Sequence, residues 1–153
     1  MYYARDTVEE LKNSSQLVIY GAGLVAYEAA VCLTGEPYGL NIECFLVSDK
    51  NGNPDRLLGL PVIGLNEGEN RIHKNALIIV VVMGKYLDEI RVYLEKKGFV
   101  HILPMTFESD LWSMIQGNYY RYVRLGRGKS YRILEEELEQ VQVPVEAEGQ
   151  KRK

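Results

Sequence analysis

A three-layer α/β/α fold around a mostly parallel sheet, carrying a helical C-terminal appendage and a flexible tail, is what this sequence predicts. Three observations carry that prediction. Short apolar runs rich in β-branched residues recur through residues 16–104, the strongest being the eight residues Ala76 to Met83, as in strands covered on both faces. Between the runs lie stretches with apolar or small residues at helical spacing, closed by glycine or proline. The first run passes straight into Gly21-Ala22-Gly23, a strand-to-helix turn. Strands alternating with helices imply right-handed crossovers that cover both faces of one sheet.

The elements follow in order. Asp6-Thr7-Val8-Glu9-Glu10 opens a short helix, with Thr7 and Glu10 (or Asp6 and Glu9) at capping-box spacing; it stops near Asn13-Ser14-Ser15. Gln16 to Tyr20 is a buried strand. From Gly23 to Leu33, Ala26, Ala29, Ala30 and Leu33 recur as on a helix, and Thr34-Gly35-Glu36-Pro37 ends it. Ile42 to Ser48 is a second strand, with Asp49 just beyond, and 49–54 is rich in turn formers. Leu58 to Ile63 is a short extended piece, and a polar stretch follows to Asn75. Ala76 to Met83 is the central strand. After Gly84-Lys85, Leu87, Ile90 and Leu94 stripe a helix from Tyr86 to Lys97, and Gly98 closes it. Val100 to Leu103 is a further strand, stopped by Pro104. Beyond it, Thr106 to Gly117 is one short helix and Arg132 to Val141 another.

The glycine turn is the most informative feature. Gly21-Ala22-Gly23-Leu24-Val25-Ala26 fits the G-x-G-x-x-G/A pattern of a Rossmann-like dinucleotide site. Gly21 permits the tight turn and Gly23 opens a path for a pyrophosphate to the helix N-terminus. Ala26 is small enough for the helix to lie close on the sheet. Asp49, 23 residues beyond Ala26, stands near the ~20-residue spacing expected of an acid that hydrogen-bonds a ribose. The predicted cofactor-binding set is Gly21, Ala22, Gly23, Ser48, Asp49, Met83 and Gly84, all at carboxyl ends of strands. Lys85 is placed as a solvated residue at a helix start. Two other readings stay open: the glycines serve backbone geometry alone, and Asp49 caps its own loop as an Asx-turn.

Bulk properties narrow the function classes. The 153 residues predict a nucleotide-binding domain at 1–117, a basic and aromatic segment with a short helix at 118–141, and a flexible tail at 142–153. An apolar fraction of 46% with 25% charged residues is that of a globular protein. A net charge of −3 gives no reason to expect a nucleic-acid partner. No apolar run approaches the ~20 residues of a membrane span, and the N-terminus lacks the pattern of a secretion signal. Cys32 and Cys44 fall in apolar segments and are read as buried thiols, so a cytoplasmic location is expected.

Weaker patterns receive structural readings. Tyr93 and Lys97 share the Tyr-x-x-x-Lys spacing of short-chain dehydrogenases, but no serine assists them, so the spacing is read as a coincidence on an amphipathic helix. His73 and His101 are placed facing solvent, and no metal-ligand pattern is found. Tyr119 to Arg132 holds five basic residues, four tyrosines and no acid. Such interleaving can stack on bases and neutralise phosphates, but a packing or assembly role is the expectation.

Several runs together resemble a group of small Rossmann-like domains in bacterial surface-glycan biosynthesis. They are Val18 to Gly23, Phe45 to Asp49, Gly59 to Gly64, Ala76 to Val82 and Gly98 to Pro104. The layout is similar to the N-terminal domain of sugar acyltransferases that act on nucleotide-linked amino sugars. It is also similar to domains preceding glycosyltransferase, phosphocholine-transferase-like or methyltransferase modules. The resemblance implies a nucleotide-sugar site lined by Gly21, Gly23 and Asp49, and no catalytic residue. No such second module follows in these residues. The expectation is therefore a nucleotide or nucleotide-sugar binding domain, accessory to polysaccharide biosynthesis, working with a partner enzyme or as a homo-oligomer. The cofactor candidates are a nucleotide-sugar and NAD(P). The alternatives are a small NAD(P)-dependent oxidoreductase or epimerase, and an interaction domain with a vestigial site.

Overall fold

A computed structural model describes residues 5–35, 38–81, 86–106 and 108–118. The basic segment Tyr119 to Arg132, the helix predicted over Arg132 to Val141 and the tail at 142–153 lie outside them, as do Met83, Gly84 and Lys85.

The chain begins with α1 (Arg5–Lys12) and enters the sheet at β1 (Leu17–Tyr20). α2 (Leu24–Thr34) leads to β2 (Cys44–Val47); β3 (Arg56–Leu57) and β4 (Leu60–Gly64) follow as a hairpin. A single helical turn, α3 (Leu65–Gly68), precedes β5 (Leu77–Val80), and α4 (Tyr86–Lys96) connects to β6 (His101–Pro104) and then α5 (Asp110–Asn118). Across the six-stranded sheet the order is β3-β4-β2-β1-β5-β6. All neighbours pair in parallel except β3 with β4. The chain starts at β1, moves outward to β4, then returns to β5 on the other side of β1. Winding therefore reverses between β1 and β5. In open α/β sheets the ligand crevice lies outside the carboxyl ends of the strands at such a reversal.

β1 is central because every residue in it is buried. Its alternation supplies both layers: Leu17 and Ile19 join the core beneath α1, α2 and α5, while Val18 and Tyr20 join the one beneath α3 and α4. Truncating Ile19 to alanine in such packing costs about 2–5 kcal/mol. α2 carries a single charged residue, Glu28, among its eleven, and is accordingly enclosed over most of its surface. It lies between the sheet and α5, whose Leu111, Met114 and Ile115 are buried in the same core. α4 packs through the stripe its spacing predicts, with Leu94 buried and Leu87 and Ile90 against the core. Gly98 closes α4 with φ at +97°. The Phe99 N–H reaches Leu94 O at 3.1 Å and the Gly98 N–H reaches Glu95 O at 3.0 Å, the two bonds of a Schellman stop.

The extended piece expected at Leu58 to Ile63 is in fact the second half of a hairpin. Leu58 and Gly59 both have positive φ, 55° and 76°, as a two-residue type I′ turn requires. β3 is two residues long, too short to show an alternating pattern. Pro61 sits opposite Arg56 and one residue before Val62, the first residue of β4 paired with β2, so its missing donor falls near the start of the strand. Helix α5 starts later than Thr106 because Ser109 caps it: Ser109 Oγ accepts the Trp112 N–H at 3.1 Å.

Candidate functional site at the carboxyl edge of the sheet

At the end of β1 the chain turns at Gly21, whose N–H bonds Leu46 O at 2.8 Å. Gly21 has φ +129°, and a Cβ there would stand 3.3 Å from Val81 O and 3.7 Å from the Ala26 Cβ. Glycine is therefore demanded by the backbone, and Ala26 does lie close behind the turn. Ala22 is buried. Gly23 differs. Its φ of −91° is ordinary, and it is the N-cap of α2 with no side-chain hydrogen bond to the helix. None of the described residues lies within 4 Å of a Cβ placed on it.

The Tyr27 N–H is the first in α2 to bond back along the chain, to Gly23 O at 3.0 Å. The N–H groups of Leu24, Val25 and Ala26 precede it and have no intrahelical partner. No acidic residue stands in this first turn. The helix dipole thus offers partial positive charge to the open space beside Gly23, the arrangement that receives phosphates.

Ser48 and Asp49 are exposed just past β2. Asp49 Oδ1 accepts the Asn51 N–H at 3.0 Å, and Asn53 Nδ2 donates to Asp49 O at 2.9 Å. The carboxylate does form the Asx-turn that the sequence left open. One oxygen suffices for that bond, and the other is available to a ligand. The adjacent Lys50 pairs with Asp55 at 3.0 Å. Ser48 hydrogen-bonds the Tyr20 hydroxyl, so the ends of β1 and β2 are tied at the rim. β5 meets them through the Val81 N–H, 2.9 Å from Tyr20 O. The structure thus brings Gly21, Ala22, Gly23, Ser48 and Asp49 to one edge of the sheet, whereas Met83 and Gly84 lie outside the described residues. Sequence reasoning missed Tyr20; the one signal was a phenol where a strand buried on both sides needs no polar atom.

Other groups are engaged elsewhere. Lys97 binds Glu69 at 2.9 Å and sits 5.5 Å over the Tyr93 ring. The hydrogen bond to Glu69 and its charge raise the Lys97 pKa, so this ammonium already has a carboxylate partner. His73 and His101 are exposed. Cys32 and Cys44 are buried thiols, and burial pushes each up to about 12. Among the described residues no cluster of His, Cys, Asp and Glu is placed to hold a metal, and no helix is long and apolar enough to cross a membrane. A cavity of about 390 Å³, lined by Ser14, Gln16, Asn41 and Glu43 among others, lies at the opposite, amino end of the strands.

No family model matches the chain, and no curated protein matches it. Solved structures do. The chain is similar to RSP, a Rex-family repressor, with TM-score 0.52 and 16% identity over 78% of this chain and 64% of that one. It is likewise similar to RSP in complex with β-NAD⁺ and operator DNA, with TM-score 0.50 and 14% identity over 88% of this chain and 65% of that one. The chain thus spans under two-thirds of these structures' length. The likeness establishes a Rossmann-like α/β fold. It also corrects one expectation, that nucleic acid is excluded as a partner: a protein of this fold is seen with operator DNA bound. The exclusion rested on a net charge of −3, which averages over the whole chain and hides a local cluster such as Tyr119 to Arg132.

Proposed function

We propose that this chain binds a nucleotide carrying a diphosphate, across the carboxyl ends of β1, β2 and β5. The single observation that carries the reading is Gly23. Neither its backbone angles nor its neighbours demand glycine, and its open side faces an α2 N-terminus with no side-chain cap. In this reading the diphosphate sits on Gly21, Ala22 and Gly23, and a ribose meets Ser48 and Asp49. Met83 and Gly84 complete the site by their position after β5. NAD(H) and nucleotide-sugars share the chemistry recognised here. NAD⁺ is supported by the RSP complex, and a nucleotide-sugar by the sequence resemblance. The comparisons lend the surface-glycan role no support. Residues 1–117 would form the binding domain, with 118–141 appended to it and 142–153 as a tail, acting in the cytoplasm. The site supplies binding, and no residue is assigned a catalytic role.

A thermal-shift panel of NADH, NADPH and UDP-glucose tests the reading, with S-adenosylmethionine as a control that carries no diphosphate. A ligand at 100 times its dissociation constant adds about 2.7 kcal/mol of stability. Asp49→Ala is expected to weaken binding of the shifting ligand about tenfold, the loss of a hydrogen bond to a charged group. If none of the three diphosphate ligands shifts the transition, the interaction-domain reading replaces this one.

A further inference from the structure

Packing does not explain the hydroxyl of Tyr20. The ring is buried to 2% exposure in the core beneath α3 and α4, and phenylalanine would fill the same space without a polar atom to satisfy. Tyr20 stands opposite Leu46. Ser48, two residues further along, continues the same face of β2 beyond its last paired residue. There the Tyr20 and Ser48 hydroxyls hydrogen-bond. Ser48 itself is exposed and adjoins Asp49.

We propose that Tyr20 is a positioning residue of the nucleotide site, holding Ser48 so that the serine offers its own proton to a ribose hydroxyl of the bound ligand. The inference rests on the nucleotide-binding reading above and names the ligand group that the rim selects. Each hydroxyl has one proton to give. The phenol is far the stronger acid of the two and donates, so Ser48 Oγ accepts and the serine proton is left for another acceptor. Burial raises the Tyr20 pKa against the opposing pull of the Ser48 hydrogen bond, which keeps the donating proton in place at neutral pH. The rim then presents a donor at Ser48 beside an acceptor at Asp49. A ribose cis-diol matches that pair, with one hydroxyl accepting from Ser48 and its neighbour donating to Asp49.

The test is calorimetric titration of wild type, Tyr20→Phe, Ser48→Ala, the double variant and Asp49→Ala with NADH or UDP-glucose, whichever the wild type binds more tightly. Melting curves of each variant confirm that it is folded. Tyr20→Phe is expected to raise Kd about five- to tenfold, the range of one hydrogen bond, and Ser48→Ala at least as much. The double variant should bind no more weakly than Ser48→Ala, because Tyr20 acts through Ser48. A purely structural tyrosine would lower the melting temperature and leave Kd alone. Wild-type affinity in Tyr20→Phe, or losses that add in the double variant, overturns the inference. If Asp49→Ala loses binding while Tyr20→Phe keeps it, this inference fails and the nucleotide reading stands. If the wild type binds neither probe, this inference falls, and if it binds no diphosphate ligand of the thermal-shift panel, the nucleotide reading falls with it.

Discussion

α5 and α2 begin in opposite ways. α5 closes its own start, with Ser109 Oγ on the Trp112 N–H and Asp110 in the first turn. α2 is more thoroughly buried along its length, yet it starts at a glycine with no side-chain cap and no acid. Glycine is a tolerated N-cap that gives up only a few tenths of a kcal/mol against serine, so what α2 forgoes is the side-chain bond and the charge at its start. The contrast teaches that the start of α2 has been kept clear, and that its stability comes from enclosure between the sheet and α5.

The largest effect expected bears on enclosure in both layers of the core, Cys32 on the side of α2 and α5 and Cys44 on the side of α3 and α4. Cys32, in α2, and Cys44, in β2, are buried with pKa values pushed up to about 12, against 9.0 for an ordinary thiol. Their contribution is fully present below pH 9, where both states hold the proton. It is lost as pH rises toward 12, because the unfolded chain ionises first. At pH 10 each thiol should therefore cost on the order of 1 kcal/mol of stability. Urea unfolding at pH 8 and pH 10 reads this, and replacing both cysteines by alanine should flatten the difference. An unchanged pH dependence in that double variant would mean that the thiols are not enclosed as described. The smaller effect bears on the capped helix. Ser109→Ala should lower stability by about 1 kcal/mol and leave nucleotide affinity at the wild-type value. A change in affinity would show that the two helix starts are not independent.

Much of this contrast was legible beforehand. The glycine turn, the helix behind it and the acid after the second strand are local patterns, and the parallel sheet follows from their alternation. The outer hairpin was not legible, because leucine at position 58 is a poor signal for a left-handed turn and β3 offers only Arg56 and Leu57. The Tyr20–Ser48 bond was invisible for a different reason. It depends on the register that sets Tyr20 opposite Leu46, and register belongs to the assembled sheet. Asp49 stood between two roles on sequence grounds; the structure shows its Asx-turn and leaves it exposed, so that role does not exclude the other. Charge misled where it was summed, since a net value cannot report on a basic stretch next to an acidic one.

The most direct measurement substitutes the glycine on which the contrast turns. Gly23→Asp gives α2 both a cap and a favourable charge at its N-terminus, as α5 already has. Melting temperature and ligand affinity, for NADH and UDP-glucose, are measured together. The account predicts a protein stabilised by about 1 kcal/mol that has lost at least tenfold in affinity, because a carboxylate now occupies the place of the phosphate. A variant that gains stability and binds as well as the wild type would contradict it.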